Sequence, residues 1–275
     1  MRIVLAVGLT VLVAVVAVSG VMALQESSFL YFPSRDVIAT PAQAGIAHHD
    51  RWITTEDGIT LHAWHLPNPD APRTVLDLHG NGGNLGDRVT QYARWYRMGL
   101  AVYAVDYRGY GRSHGAPAEQ GLYRDARAAW ADLTGALATA PERIVIAGRS
   151  LGSGPAVQLA TEVRPAGLVL ESPMTNIPEM ARAVYPFLPV SLLVRSRFDN
   201  LRKIRDVACP VLVIHAEQDE IIPPSMGRRV FEAAHEPKQW ASVPGGHNDF
   251  DDVSTDAYLA AWRTFLGSLP DPGTR

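Results

Sequence analysis

From about Thr74 onward the chain repeatedly alternates short, almost wholly apolar runs with longer stretches whose apolar residues recur every three or four positions. The short runs are Thr74–His79, Ala101–Asp106, Ile144–Gly148, Gly167–Glu171, Val211–His215 and Gln239–Val243, each patterned like a strand buried on both faces. The longer ones, Arg88–Met98, Leu122–Leu137, Leu151–Val163 and Ala257–Leu266, carry the single apolar stripe of a helix laid on a sheet. Strands that alternate with helices in this way predict a mostly parallel sheet covered by helices, the α/β class. Upstream, Arg51–Thr55 and Thr60–Leu66 flank Glu56-Asp57-Gly58 and read as an antiparallel hairpin, which brings the expected sheet to eight strands.

With 275 residues and no repeats or low-complexity tracts, one catalytic-sized domain over about residues 51–270 is expected, after a connecting segment at 25–50. The interval at about 173–207, between the sixth and seventh strands, is too long for a plain connection and contains Pro173, Pro178, Pro186 and Pro189. It reads as a small cap. Tyr185 to Val190 and Leu192-Leu193-Val194 are apolar enough to line an acyl or aromatic pocket, or to pack on the sheet. Arg195, Arg197, Arg202, Lys203 and Arg205 follow, a solvated face by default and an anion-binding one by the sharper reading.

Ile3 to Leu24 carries no charge and, as a helix, reaches about 33 Å, enough for a hydrocarbon core of about 30 Å. Residues 1–24 therefore read as a transmembrane anchor. A signal peptide cut near Val21-Met22-Ala23 is the alternative, although the run exceeds the usual apolar region of about 7 to 15 residues. Arg2 precedes the span and no net positive charge follows it, so the expected N-terminus is cytoplasmic and the domain lies on the other side, either anchored or released. Charged residues make up 19% and the formal net charge is −3, which leaves no basic field for nucleic acid. The one cysteine, Cys209, abuts an apolar strand and reads as a buried structural thiol. The nine histidines are scattered; His48-His49-Asp50 lacks further ligands at metal-binding spacing and reads as a loop, so neither a metal nor a cofactor is expected. Trp64, Trp95, Trp130, Trp240 and Trp262 read as core contacts.

The pattern Gly-x-Ser-x-Gly occurs at Gly111–Gly115 and at Gly148–Gly152, so context must choose between Ser113 and Ser150. A serine nucleophile needs a tight turn leading straight from a strand into a helix, which exposes its hydroxyl above the sheet. Ile144–Ala147 runs directly into Ser150, and Ala156, Val157, Leu159, Ala160 and Val163 continue as one helical face. Ser113 lies instead among the turn residues of Tyr107–Pro117. A hydroxyl needs a positioned base, and His247, in the glycine-flanked loop between the last strand and the last helix, fits that role better than His235. Asp219, just past the Val211–His215 strand, is the chosen carboxylate to orient the imidazole, with Glu217 and Glu220 as close rivals, Glu171 as a solution from the preceding strand, and Asp249 better suited to a turn. The amide of Leu151 and that of Asn81, in the loop His79-Gly80-Asn81-Gly82-Gly83, are the expected oxyanion donors; no Lys-Ser or Lys-Thr follows that glycine cluster as a phosphate loop requires.

Four ordered motifs carry a resemblance: His79 to Leu85, Asp106 to Ser113, Gly148 to Gly152, and His215 to Pro223. With them the chain, from about Phe29-Leu30-Tyr31-Phe32-Pro33 to its last helix, resembles the Bem46/ABHD13/ABHD17 group of α/β hydrolases. The resemblance implies the α/β-hydrolase fold, a domain commonly attached to membranes, and a triad on Ser150, Asp219 and His247. It places the Ser113 segment in the glycine-rich turn after the fourth strand. One branch of the group is implied in protein depalmitoylation behind a cysteine-rich N-terminus, which this chain lacks. The expectation is hydrolysis of a carboxylic ester or thioester of a small or lipid-like acyl group; a serine peptidase and a catalytically silent scaffold at the membrane are the rivals.

Overall fold

The computed structural model describes residues 2–192 and 194–272. Two helices lead the chain, α1 (Arg2–Leu24) and α2 (Glu26–Leu30), separated by a break at Gln25. The sheet strands are β1 (His49–Thr54), β2 (Thr60–Leu66), β3 (Thr74–Leu78), β4 (Ala101–Val105), β5 (Ile144–Arg149), β6 (Gly167–Glu171), β7 (Val211–Ala216) and β8 (Lys238–Val243). They form one eight-stranded sheet in the order β8-β7-β6-β5-β3-β4-β2-β1. Pairing is antiparallel between β1 and β2 and between β2 and β4, and parallel elsewhere. This is the expected α/β-hydrolase architecture. The hairpin starts two residues earlier than the alternation indicated, and it draws His49 and Asp50 out of the expected loop into β1. Asp50 there accepts hydrogen bonds from His62 Nε2 at 2.6 Å and Trp64 Nε1 at 3.0 Å.

The helices that follow are α3 (Val89–Arg97), α4 (Glu119–Ala131), α5 (Ser153–Glu162), α6 (Ile177–Val184), α7 (Asn200–Lys203), α8 (Pro224–Ala233), α9 (Phe250–Val253) and α10 (Thr255–Ser268). The core divides by sheet face. Leu76, Leu78, Ile146, Leu168 and Val213 point toward α4, α5 and α8, whereas Val75, Val145, Val169 and Leu212 point toward α3 and α10. Period-two alternation along each strand thus supplies both layers, which explains why the strand sequences are apolar throughout. The stretch read as one helix to Leu137 changes to a wider π turn at Asp132–Ala136, where Asp132 receives Arg51 and Tyr103.

Between β6 and β7 the chain forms α6, a short 3-10 turn at Pro189–Leu192, and a return through Arg195–Asp199 into α7. Asn176 caps α6 by accepting the Glu179 amide at 2.9 Å, and Pro178 occupies the first turn, where the missing N–H is not needed. Phe198 is buried against Gly154 of α5, which fastens the return to the domain. Leu193 and the side chains of Val190 and Leu192, which belong to the apolar stretches expected to line a pocket, fall outside the described residues.

The strand order reverses on either side of β3: the chain passes from β3 to β4 on one side and reaches β5 on the other. In such a sheet the crevice beyond the carboxyl ends of the strands at the reversal is left open, and ligands bind there. Leu78 at the end of β3 pairs with Gly148 near the end of β5, so the loops after these two strands emerge side by side.

Candidate active site

Ser150 is the first residue after β5 and has φ of 54°, in the left-handed region that a residue with a side chain rarely occupies. The turn holds because both flanking glycines allow close approach. A Cβ on Gly152 would lie 1.9 Å from the Leu78 carbonyl oxygen, and one on Gly148 would lie 2.5 Å from Ala156 Cβ. Ser153 Oγ donates to the Ser150 carbonyl at 2.6 Å, and Asn200 of α7 donates in turn to Ser153 Oγ at 2.9 Å. The strained serine is thereby braced from beneath.

Ser150 Oγ lies 2.9 Å from His247 Nε2. On the other side of the ring, His247 Nδ1 lies 2.8 Å and 2.9 Å from the two carboxylate oxygens of Asp219. All three residues are buried. Burial opposes ionisation of Asp219, but hydrogen bonds from His215 and His247, together with the Ile222 amide, outweigh it and hold its carboxyl well below the usual carboxylate range. An ionised Asp219 accepts a proton-bearing Nδ1, which leaves Nε2 with its lone pair toward the Ser150 hydroxyl.

The rival carboxylates sit elsewhere. Glu171 is enclosed by Tyr258, Trp262 and Gln91 on the α3–α10 side of the sheet. Among the described residues, the Glu217 side chain meets the neighbouring Gln218 amide, at 3.5 Å. Glu220 accepts the backbone amide of His247 at 3.0 Å, so it holds the loop and not the ring. Asp249 accepts the Gly246 amide at 2.6 Å, and His235 meets the Arg205 carbonyl away from the site. Ser113 is buried in a structural role: its hydroxyl donates to the Asp106 carbonyl at 2.7 Å and accepts the His62 amide at 2.9 Å. Cys209 is half-buried beside the start of β7, where burial pushes its thiol up to about 12.

Asn81 and Leu151 flank Ser150. Leu151 lies in the first turn of a short 3-10 helix, where the amide has no intrahelical acceptor. The Asn81 carbonyl accepts Tyr110 Oη at 2.8 Å and the Phe32 amide at 2.8 Å, while its side chain donates to the Leu30 carbonyl at 3.2 Å. Phe32 and Pro33 pair as a short parallel strand with Gly82 and Gly83. The segment read only as a connector therefore fixes the loop that carries Asn81.

A second network escaped the sequence reading. Arg149 donates to the His247 carbonyl at 3.1 Å and to Asp251 at 3.0 Å, and Arg94 donates to the other oxygen of Asp251 at 2.8 Å. This ties the residue before the serine to the loop of the histidine. Its only signal in the sequence was the acidic cluster Asp249–Asp252 after His247.

Two cavities of opposite character meet at Ser150 and His247. One, of about 410 Å³, is polar and includes Arg88, Arg94, Arg149, Asp251 and Asp252. The other, of about 430 Å³, is walled by Leu151, Met174, Ile177, Met180, Val194 and Ile222, with Met22, Phe29 and Leu30 contributed by the N-terminal helices. Among the described residues no group of three or more His, Cys, Asp or Glu is placed to hold a metal ion.

Residues 69–201 match the serine aminopeptidase S33 family. An uncharacterized protein of Mycobacterium tuberculosis is 39% identical over 261 residues, which cover 93% of this chain and 92% of that protein. The α/β hydrolase domain-containing protein WAV2 of Arabidopsis thaliana is 32% identical over 286 residues, covering 94% of this chain and 91% of its own length. Among solved structures, the Pyrococcus furiosus esterase Pf2001 superposes with a TM-score of 0.71 at 22% identity, covering 86% of this chain and 99% of the esterase.

Proposed function

The chain belongs to the α/β-hydrolase family and is a hydrolase, and on that premise we propose that it cleaves carboxylic esters or thioesters through an acyl-enzyme on Ser150. His247 Nε2 takes the hydroxyl proton as Ser150 Oγ attacks the acyl carbonyl, and the carbonyl electron pair moves onto oxygen. The Leu151 and Asn81 amides stabilise that oxyanion; preorganised donors of this kind contribute about 3 to 4 kcal/mol each in other enzymes. The intermediate collapses, His247 returns the proton to the departing alcohol or thiol, and water then repeats the sequence to release the acid. Asp219 keeps the proton on Nδ1 and stabilises the imidazolium between steps.

The pair of cavities carries this reading. An acyl chain fits the apolar one and a polar leaving group the other, with the carbonyl between them at Ser150. Glu26, the acidic side chain in the apolar cavity, spends its two oxygens on the Arg195 and Ser196 amides at 2.7 Å and 2.8 Å. α1 is long and apolar enough to cross a membrane. Our reading makes it an uncleaved anchor with Arg2 cytoplasmic and the domain on the opposite side.

The test is labelling of the full chain in detergent with a fluorophosphonate. Wild type and Ser113→Ala should label, while Ser150→Ala and His247→Ala should not. A folded wild type that fails to label overturns the enzyme reading in favour of a scaffold. Matched p-nitrophenyl esters and p-nitroanilides then separate the bond classes, and faster turnover of the anilide would move the assignment to peptides.

A further inference from the structure

The apolar cavity is closed on one side by the end of the membrane helix itself. Among the described side chains of α1 and α2, Val15, Ser19, Gly20, Met22, Glu26 and Leu30 are half-buried or buried, and all but Gly20, with spacings of four, three, four and four residues, trace one helical face. The break at Gln25 does not interrupt that face. The helix packs on the 3-10 turn Pro189–Leu192 of the cap, Met22, Glu26 and Leu30 line the cavity, and Leu5, Leu9, Val13 and Val16 are exposed.

Three further observations join α2 and the residues after it, which continue α1, to the chemistry. Glu26 holds the cap's return segment through the Arg195 and Ser196 amides. The Leu30 carbonyl accepts the Asn81 side-chain amide at 3.2 Å, and the Phe32 amide donates to the Asn81 carbonyl at 2.8 Å, which holds the Asn81 loop. The cavity rim is apolar and open: Phe29, Phe32, Val184 and Ile221 are each exposed, and Phe187 at the cap tip is 93% exposed. An apolar surface of this kind beside a membrane span is suited to lie against lipid and not against water.

We propose that the end of α1 is a wall of the acyl site, and that the substrate is an acyl ester or thioester resident in the same membrane, its chain entering past Phe29 and Val184 from the bilayer. The proposal rests on the acyl-transfer reading of Ser150. If Ile3–Met22 spans the hydrocarbon core, Met22 sits at its edge, and the cavity lies within about two helical turns beyond that edge. That is the layer in which lipid ester carbonyls reside. Extracting a long chain into water is then unnecessary: the chain exchanges one apolar surrounding for another as the carbonyl reaches Ser150.

The experiment uses the full chain reconstituted in phosphatidylcholine vesicles, with a fluorogenic palmitoyl ester placed either in the same vesicles or in separate ones. Turnover should be at least tenfold faster from the shared membrane, and equal rates from the two placements overturn bilayer entry. In the same vesicles, Met22→Trp should lower the ratio of decanoyl to acetyl p-nitrophenyl ester turnover at least tenfold, and Met22→Ala should raise it. Leu9→Trp, at an exposed position toward the start of α1, should leave it unchanged. A ratio that Leu9→Trp alters as much as Met22→Trp, or that neither Met22 variant alters, overturns the wall assignment. Loss of acetyl ester turnover and of fluorophosphonate labelling in wild type would instead bring down the acyl-transfer reading, and this proposal with it.

Discussion

Glu171 ends β6 and is fully enclosed, with Tyr258 Oη donating at 2.6 Å, Trp262 Nε1 at 3.2 Å and Gln91 Nε2 at 3.3 Å. Burial raises its carboxyl from the ordinary 4.5 to about 7, with Arg149 and the Tyr258 hydrogen bond opposing in part. At about 1.4 kcal/mol per pH unit, that displacement amounts to about 3 kcal/mol. The folded chain keeps a proton that the unfolded chain releases between these two values, so the contribution is fully present below about pH 4.5 and is lost as pH rises through 7. Glu171→Gln keeps the shape and an acceptor for Tyr258 but removes the titration. The stability difference between variant and wild type should therefore move in the variant's favour by about 2 to 3 kcal/mol from about pH 5 to pH 8, equivalent to roughly 5 to 10 °C in Tm. Thermal melts of the full chain in detergent at stepped pH, followed by tryptophan fluorescence, measure it. Differencing against wild type cancels the other titrating groups, among them Asp125, which burial raises to about 6. Parallel Tm curves for the two proteins would refute the reasoning, because they would mean that Glu171 titrates alike in both states. The same variant should still label with fluorophosphonate, since Glu171 does not touch His247.

Asp219→Asn should lower kcat on a short p-nitrophenyl ester by about 10³ to 10⁴, because an amide in that place favours the wrong imidazole tautomer; a kcat within tenfold of wild type would exclude Asp219 as the orienting group. Ser113→Ala should cost about 1 to 3 kcal/mol by denaturant unfolding, since the buried His62 amide and Asp106 carbonyl lose their partner, with no loss of labelling below the transition. Gly152→Ala drives a methyl group to 1.9 Å from the Leu78 oxygen and should cost about 3 kcal/mol or more. Through displacement of Ser150 it should also slow labelling by about 10². An alanine variant that labels at the wild-type rate would show that the elbow tolerates separation from β3.

The legible parts of this molecule are those in which water is the alternative environment. Apolar runs and stripes are forced inward by contrast with solvent, so strand limits such as Thr74–Leu78 and Gly167–Glu171 could be read to within a residue. The choice of Ser150 over Ser113 followed from chain direction, since one pattern joins a strand to a helix and the other does not. Asp219, Glu217 and Glu220 were harder to separate, because neighbouring residues in a turn have similar composition and different aim; two local amides, of Ile221 and Ile222, curl the turn around Asp219 and turn it toward His247. Helix α8 escaped notice because Gly227 and two arginines interrupt its stripe. The glycine is there to clear His215, whose ring would lie 2.1 Å from an added Cβ.

The wall role of α1 was unreadable for the opposite reason. A helix with lipid on one side and an acyl cavity on the other needs apolar residues on both, so the contrast that marks a buried face disappears. Among the polar residues of α1 and α2, Ser19 and Glu26 lie on the protein-facing side, whereas Thr10, Ser27 and Ser28 are exposed. Glu26 shows how such a residue is stabilised: a carboxylate one turn past the span is tolerated in an apolar cavity because two backbone amides of the cap receive it. The same bonds make the cap's position depend on α2, which follows the membrane helix after Gln25. Glu26→Gln, which keeps one acceptor oxygen and loses the other, should therefore weaken the hold on the Arg195–Ser196 turn. It should raise KM for long acyl esters several-fold more than for acetyl ester, as steady-state kinetics of the full chain can measure. A uniform change across chain lengths would show that Glu26 supports the fold alone and not the shape of the acyl site.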